Sequence, residues 1–160
     1  EEIATIADCS SAAAKSALQR GRSALRLLAQ APEDMRLPLV SDTERQKITA
    51  YVELFRSGDF DAIRAMLADD VRLELVNRLQ WQGREKTVPY FTRYAEVPTW
   101  RFALGAVEGQ PAMLVFDSTG PMERPAHFVL IEWSGDRIAG IRDFLFAPYA
   151  LEATDWVRLE

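Results

Sequence analysis

From residue 42 onward, apolar residues recur at the spacing of amphipathic helices. Asp42 or Thr43 is the expected N-cap of the first helix, because a short polar side chain there accepts hydrogen bonds from free backbone N–H groups. Ser57-Gly58-Asp59 predicts the end of this helix and the cap of a shorter second one. The apolar positions of the two helices are Ile48, Tyr51, Val52 and Phe55, then Phe60, Ile63, Met66 and Leu67.

Beyond the second helix the pattern changes from helical to alternating. The segment VRLELV, residues 71–76, alternates as a strand does, and residues 83–94 predict a third helix. After Pro98 come four strand candidates separated by glycine turns: TWRFALGAV, AMLVFD, HFVLIEW and RIAGIRDFLFA. This order predicts an α+β fold in which three helices cover one curved antiparallel sheet and form a cone.

The first thirty residues carry a separate helical pattern. A short apolar helix ends near Cys9, and Ser10 or Ser11 offers an N-cap hydroxyl for a second helix from Ala12 to about Ala29. A tight turn followed by a basic helix is typical of a DNA-binding helix-turn-helix. The charged residues of the second helix are all basic: Lys15, Arg20, Arg22 and Arg26.

Charge restricts where nucleic acid can bind. The chain has a formal net charge of -5. Residues 1–31 contain four basic and three acidic residues, a net charge of +1, so residues 32–160 sum to -6. Because an acidic surface repels phosphates, only the N-terminal helix is expected to contact DNA.

Cysteine and histidine usage excludes several kinds of site. The single cysteine, Cys9, excludes an internal disulfide and fits a reducing cytoplasm, and with one histidine, His127, a Cys/His zinc site is excluded. No apolar run approaches the roughly 18 residues of a membrane span, so no membrane association is expected. No phosphate-binding glycine loop, nucleophile elbow or metal-ligand spacing is present, and no cofactor is expected.

Proline and acidic residues separate the two helical patterns and predict a linker over residues 30–41. We therefore expect a partial helix-turn-helix over 1–29, a folded domain over 42–148 and a C-terminal tail over 149–160. The chain does not begin with Met, and its first residues already belong to a motif. It is therefore expected to be the C-terminal part of a longer protein.

A resemblance to a known family rests on twelve residues of the N-terminal segment: Glu1, Glu2, Ile3, Ala4, Ile6, Ser10, Lys15, Ser16, Leu18, Arg20, Arg22 and Leu25. In this set the segment resembles region 4 of the extracytoplasmic-function (ECF) sigma factors of bacterial RNA polymerase. The resemblance implies transcription initiation, with recognition of the -35 promoter element and contact with the RNA polymerase core. The residues expected to face DNA are Lys15, Ser16, Gln19, Arg20 and Arg22.

Residues 51–74, YVELFRSGDFDAIRAMLADDVRLE, combine a helix ending in Gly-Asp, a helix ending in Leu-Ala-Asp-Asp, and a strand. With LQWQGR and RIAGIRDFL, this stretch resembles the SnoaL-like branch of the nuclear transport factor 2 (NTF2) superfamily over about residues 42–147. The resemblance implies a cone with a pocket between helices and sheet. ECF sigma factors with an appended SnoaL-like domain are a known group with the same order of parts.

The residues expected at such a pocket are Tyr51, Glu74, Trp81, Tyr90, Trp100, His127 and Asp143. His127 and Asp143 would form an acid–base pair if they met. With a tight turn at Gly135-Asp136, however, His127 pairs with Phe144 and Asp143 with Phe128. The two polar side chains then lie on opposite faces of the sheet unless a bulge intervenes. Asp143 would instead pair with an arginine such as Arg101 or Arg142.

The main hypothesis is a sigma factor and not an enzyme. Its SnoaL-like domain would tune activity by packing against region 4 or the linker, and its pocket would be partly filled by Trp and Phe and open only to an apolar small ligand. One alternative is a small-molecule enzyme of the polyketide-cyclase or ketosteroid-isomerase type. The other is a ligand-sensing or dimerising module without chemistry, with a homodimer as its partner state.

Overall fold

A computed structural model of the protein describes residues 41–152 and 154–159, together with Ser10, Ala12, Ala13 and Ser16. The chain divides into two units, Glu1–Arg36 and Leu37–Glu160. The predicted helix-turn-helix, its DNA-facing residues except Ser16, and almost all of the predicted linker lie outside the described residues. Ala12, Ala13 and Ser16 are helical, and Oγ of Ser10 accepts a hydrogen bond from N of Ala13 at 3.2 Å, as an N-cap does.

The first helix of the domain, α1 (Asp42–Ser57), is fixed at both ends by its sequence. Ser41 is the N-cap: its Oγ accepts from N of Glu44, and the Glu44 carboxylate accepts in return from N of Ser41. The N-cap was predicted at Asp42 or Thr43, and it lies one residue before Asp42. Gly58 ends the helix in the left-handed conformation, with a φ of 71°. The predicted apolar face is the buried one.

Two shorter helices follow. Helix α2 (Phe60–Met66) begins at the N-cap Asp59, whose carboxylate accepts from N of Ala62 at 3.0 Å, as predicted. A 3-10 turn (Arg84–Thr87) precedes α3 (Val88–Glu96), and Pro89 occupies its first turn, where no backbone donor is needed. The single helix predicted over residues 83–94 is therefore two elements.

In the described part of the chain, strands form one sheet with the order β2-β1-β6-β5-β4-β3-β7. They are β1 (Leu67–Leu75), β2 (Leu79–Gln82), β3 (Trp100–Val107), β4 (Gln110–Asp117), β5 (His127–Ser134), β6 (Arg137–Asp143) and β7 (Trp156–Arg158). Neighbours are antiparallel except β1 and β6, which are parallel. The predicted α+β fold is confirmed, although the sheet is mixed and β2 and β7 were not predicted as strands.

The sheet carries apolar side chains on both faces. One face packs against the helices, in a core that includes Tyr51, Phe55 and Phe91. The opposite face carries Leu114, Phe116 and Phe128, against which Leu151 of a 3-10 turn (Pro148–Glu152) and Trp156 of β7 pack. The segment predicted as a C-terminal tail is therefore part of the fold. None of the helices in the described part of the chain is long and apolar enough to cross a membrane.

A β-bulge in β6 decides which of its side chains reach the face covered by helices. Trp133 pairs with Ile138, whereas the preceding residue, Glu132, pairs with Gly140. Ala139 is thus an extra residue on β6. Because side chains alternate along a strand, this shift of one residue turns every later side chain of β6 to the other face.

Candidate active site

A cavity of about 540 Å³ lies between α3, the turn from β1 to β2, and the segment that follows β6. Its wall is largely apolar and includes the aromatic side chains of Trp81, Tyr90, Tyr94, Trp100 and Phe146. The charged residues of the wall are Arg78, Arg93, Glu96 and Asp143. A cavity of this size and composition suits an apolar small molecule oriented by a small number of polar contacts.

Asp143, the last residue of β6, is the buried polar group in this wall. Its side chain has no exposed surface, and burial of a carboxylate requires hydrogen-bond partners. Oδ2 accepts from the hydroxyl of Tyr94 at 2.7 Å, and Oδ1 accepts from the backbone N–H of Leu145 at 2.8 Å. The two hydrogen bonds hold the carboxylate in one orientation at the end of the strand.

His127, the first residue of β5, shares the same tyrosine. Its Nε2 lies 2.9 Å from the hydroxyl oxygen of Tyr94 and 3.7 Å from Oδ1 of Asp143. Because the single hydroxyl proton of Tyr94 is donated to Asp143, Nε2 of His127 carries the proton that it donates to Tyr94. Nδ1 is then the unprotonated nitrogen, and it has no hydrogen-bond partner among the described residues.

The bulge explains why His127 and Asp143 meet, contrary to the sequence-based prediction. Asp143 pairs with Val129 and not with Phe128, because Ala139 adds one residue to β6. Val129 and His127 are two residues apart on β5 and therefore share a face. The prediction that His127 and Asp143 point to opposite faces is wrong, and so is the expected arginine partner of Asp143.

Burial determines the protonation states of His127 and of the three tyrosines around Asp143. Removal from water lowers the pKa of His127, against a smaller opposing effect of the negative charge of Asp143, so the imidazole is neutral near pH 7. Burial, and secondly the charge of Asp143, hold the pKa values of Tyr51, Tyr90 and Tyr94 well above their usual range. The tyrosines therefore remain protonated and act as hydrogen-bond donors.

Two of these tyrosine hydroxyl groups donate no regular hydrogen bond within the described residues. The hydroxyl groups of Tyr51 and Tyr90 are buried, and neither makes a hydrogen bond of regular geometry in the part of the chain that the structure describes, although the Tyr90 hydroxyl lies near those of Tyr51 and Tyr94. Tyr90 lines the cavity, whereas Tyr51 lies in the core and is not part of the cavity wall. An unpaired buried hydroxyl is costly, and a polar ligand atom in the cavity would give Tyr90 a partner.

Glu74, which the sequence analysis grouped with the pocket residues, lies elsewhere. It projects from β1 to the face of the sheet opposite the helices, because β1 alternates and Leu73 and Leu75 point into the core. There its Oε2 accepts from Nε of Arg142 at 2.9 Å. Of the predicted pocket residues, the cavity is lined by Trp81, Tyr90, Trp100 and Asp143. His127 does not line it, but it is hydrogen-bonded to Tyr94, which does.

Tyr94 is the residue that the sequence analysis missed. It joins Asp143 and His127, and its ring centroid lies 4.5 Å from that of Trp100. Tyr90 and Tyr94 are four residues apart and so share one face of a helix, which was the available signal. Among the described residues no group of three or more His, Cys, Asp and Glu side chains is arranged to hold a metal ion.

The chain belongs to the SnoaL-like domain family, which matches residues 48–145. A comparison with curated proteins gives no match. Similar solved structures include an NTF2-like protein of unknown function from Cytophaga hutchinsonii, with 18% identity over 62% of this chain and 96% of that one and a TM-score of 0.45. Another is an LEH-like epoxide hydrolase from M. tuberculosis, with 19% identity over 63% of this chain and 81% of that one and a TM-score of 0.45. These likenesses concern the fold.

The prediction that the protein is not an enzyme has to be corrected. Its principal argument was that His127 and Asp143 lie on opposite faces, and the bulge removes that argument. A carboxylate at the cavity wall also lies within hydrogen-bonding distance of a tyrosine donor, an arrangement that general acid–base catalysis can use.

Proposed function

We propose that the SnoaL-like domain carries out acid–base chemistry on a small, largely apolar carbonyl compound, as enzymes of the polyketide-cyclase and ketosteroid-isomerase type do. The observation that carries this proposal is the buried carboxylate of Asp143 in the wall of an aromatic cavity, hydrogen-bonded to Tyr94. A carboxylate base beside tyrosine donors is a known arrangement for removing a proton next to a carbonyl group.

In this proposal Asp143 is the base. Its carboxylate takes a proton from the carbon adjacent to the substrate carbonyl, and the C–H electron pair moves to give an enolate with its negative charge on oxygen. The hydroxyl of Tyr90, which is protonated and makes no hydrogen bond of regular geometry among the described residues, donates a hydrogen bond to that oxygen. The protonated Asp143 exchanges its proton with solvent when the cavity opens and then returns a solvent-derived proton to carbon, so no other reactant is consumed.

Tyr94 and His127 act as positioning residues. Tyr94 holds Asp143 by its 2.7 Å hydrogen bond, and the neutral imidazole of His127 holds the Tyr94 oxygen at 2.9 Å. Asp143 has no exposed surface in this conformation, so a substrate has to displace a neighbouring side chain of the wall before it reaches the carboxylate. Exclusion of water in this way strengthens the electrostatic interactions of the site.

The experiment is exchange of the α-hydrogens of 2-tetralone for deuterium in D₂O, followed by proton NMR. We expect the protein to accelerate this exchange, and Asp143→Asn to lower the acceleration by about 10²- to 10⁴-fold, the usual contribution of a general base. Glu74→Gln is the matched control, because it neutralises a carboxylate on the opposite face of the same sheet. Equal rates for wild type and Asp143→Asn would contradict the proposal.

We propose in addition that the N-terminal segment is the end of a sigma-factor region 4. The full-length protein would then act in the cytoplasm with the -35 promoter element and the RNA polymerase core as partners. The residue pattern supports this proposal, as does the hydroxyl of Ser10, which accepts from N of Ala13 as the cap of a recognition helix would. Sequence-specific, salt-sensitive DNA binding that survives removal of the N-terminal segment would contradict it.

A further inference from the structure

Two arginines line the cavity from different elements of the fold. Arg78 lies in the turn between β1 and β2, and Arg93 lies on α3, next to Tyr94. Both side chains are exposed, and neither forms a hydrogen bond or ion pair with any residue of the described ranges 41–152 and 154–159. Their guanidinium groups are therefore free to bind a ligand at the cavity rim.

Elsewhere on the domain, some arginines near the sheet have acidic partners, whereas Arg101 and Arg137 donate to backbone carbonyl groups. Arg72 pairs with Glu132 at 3.1 Å, and Arg84 pairs with Asp69 at 2.9 Å. The chain as a whole has more acidic than basic residues, with a net charge of -5, so partners for a cation are plentiful. Two cations without partners at one cavity consequently point to an anion as their ligand.

The position of Arg78 is fixed before a ligand binds. The turn places Asn77 in the left-handed conformation, with a φ of 67°, and Nδ2 of Asn77 donates to the hydroxyl of Tyr149 at 2.9 Å. The guanidinium carbon of Arg78 lies 4.6 Å from the ring centroid of Phe146, which also lines the cavity. Stacking on an aromatic face leaves the edge N–H groups of a guanidinium available for an oxyanion.

The remaining charges of the cavity orient such a ligand. Asp143 is fully buried, whereas Arg78 and Arg93 are exposed. A third charged residue of the wall, Glu96, is exposed on α3, so the rim carries two positive charges and one negative charge. An anionic group is therefore attracted to the rim and repelled by Asp143, and the apolar part of the same molecule faces the aromatic interior.

We propose that the cavity selects anionic amphipathic molecules, with an apolar ring or chain in the aromatic part and a carboxylate or similar oxyanion on Arg78 and Arg93. The proposal rests on the proposed function in one respect, which is that the ligand occupies the same cavity as the proposed substrate. It adds a class of substrate, a carbonyl compound that carries an acidic group at the end remote from the reacting carbon.

The test compares two fluorescent dyes that share a ring system. 8-Anilinonaphthalene-1-sulfonate is anionic, and N-phenyl-1-naphthylamine lacks the sulfonate and is neutral. Binding of both is measured by fluorescence titration on the whole chain, on the double variant Arg78→Gln/Arg93→Gln and on Arg124→Gln. Arg124 is the matched control, because it is an exposed arginine outside the cavity. Unchanged thermal unfolding of each variant shows that dye binding reports the folded state.

We expect the double variant to bind the anionic dye about tenfold more weakly, since each exposed ion pair contributes about two- to fivefold in affinity. Its affinity for the neutral dye and the affinities of Arg124→Gln for both dyes should stay within about twofold of wild type. An equal loss in Arg124→Gln, an unchanged affinity of the double variant for the anionic dye, or failure of the wild type to bind that dye overturns the proposal.

The outcome is separable from that of the proposed function. Asp143→Asn removes the proposed base but neither arginine, so the preference for the anionic dye should persist in that variant. A protein that keeps this preference and does not catalyse α-hydrogen exchange would retain the inferred ligand class and lose the proposed reaction. Exchange that depends on Asp143, with no preference between the dyes, would give the reverse result.

Discussion

Replacing Tyr94 by phenylalanine removes one buried oxygen atom on which two other buried polar groups depend. That oxygen donates its proton to Oδ2 of Asp143 at 2.7 Å and lies 2.9 Å from Nε2 of His127. After the substitution the carboxylate keeps only the hydrogen bond from the N–H of Leu145. Nε2 of His127 loses the one hydrogen-bond partner that it has among the described residues and remains 3.7 Å from Oδ1 of Asp143. The ring and its packing against Trp100 remain.

The expected loss of stability follows from these two orphaned groups. A buried polar group without a partner costs about 1–3 kcal/mol, and more when it is charged. With one neutral donor and one carboxylate affected, Tyr94→Phe should lower the free energy of unfolding by about 3–5 kcal/mol. A domain of this size has about 5–15 kcal/mol to lose, so the variant should still fold.

Tyr90→Phe is the matched control for this prediction. Tyr90 is buried on the same helix one turn earlier, the chemical change is identical, and its hydroxyl makes no hydrogen bond of regular geometry among the described residues. Its effect should lie within about 1 kcal/mol of zero, and removal of an unpaired polar atom can even stabilise. Urea unfolding followed by tryptophan fluorescence should show a midpoint lower by about 2 M for Tyr94→Phe than for Tyr90→Phe. Equal midpoints for the two variants would refute the hydrogen-bond network.

Three further predictions concern pH, backbone and DNA. Because the folded state lowers the pKa of His127, the unfolded chain takes up this proton first as pH falls below about 6.5, and stability decreases by at most about 1.4 kcal/mol per pH unit. Urea unfolding between pH 7.5 and 5.5 should show a shallower decrease in His127→Gln, and an unchanged slope would contradict the assignment. Gly58→Ala should cost about 1 kcal/mol from its φ of 71° alone, since nothing lies within 4 Å of an added Cβ, and urea unfolding without such a loss would contradict this. In the full-length protein, Arg22→Ala should weaken DNA binding on all sequences and reduce the salt slope by about 1, and an unchanged slope in salt titrations would argue against a phosphate contact.

The helical half of the domain was predictable because its signals are local. Apolar spacing identified α1 and its buried face, and Gly58 and Asp59 were recognised as the end of one helix and the cap of the next. The hairpin turn at Gly135-Asp136 was also predicted, because a two-residue turn containing glycine is a short-range signal. These features depend on residues within a few positions of one another.

The arrangement of the site was not predictable in the same way, because it depends on a single extra residue. Ala139 carries no composition signal that distinguishes a bulge from a regular strand, yet the bulge turns Asp143 toward His127. The parallel pairing of β1 with β6 and the position of Leu151 on the outer face are likewise long-range contacts. Tyr94 became a site residue only once Asp143 and His127 were placed on the same face.

A crystal structure of the protein with 2-naphthol, whose phenolic oxygen resembles that of an enolate, tests the central claim most directly. We expect the rings to lie in the aromatic cavity, the phenolic oxygen to be within about 3 Å of the Tyr90 hydroxyl, and the Asp143 carboxylate to be uncovered toward the rings. Naphthol bound only on the opposite face of the sheet, near Glu74 and Arg142, or a cavity in which Asp143 stays covered while the ligand is bound, would contradict it.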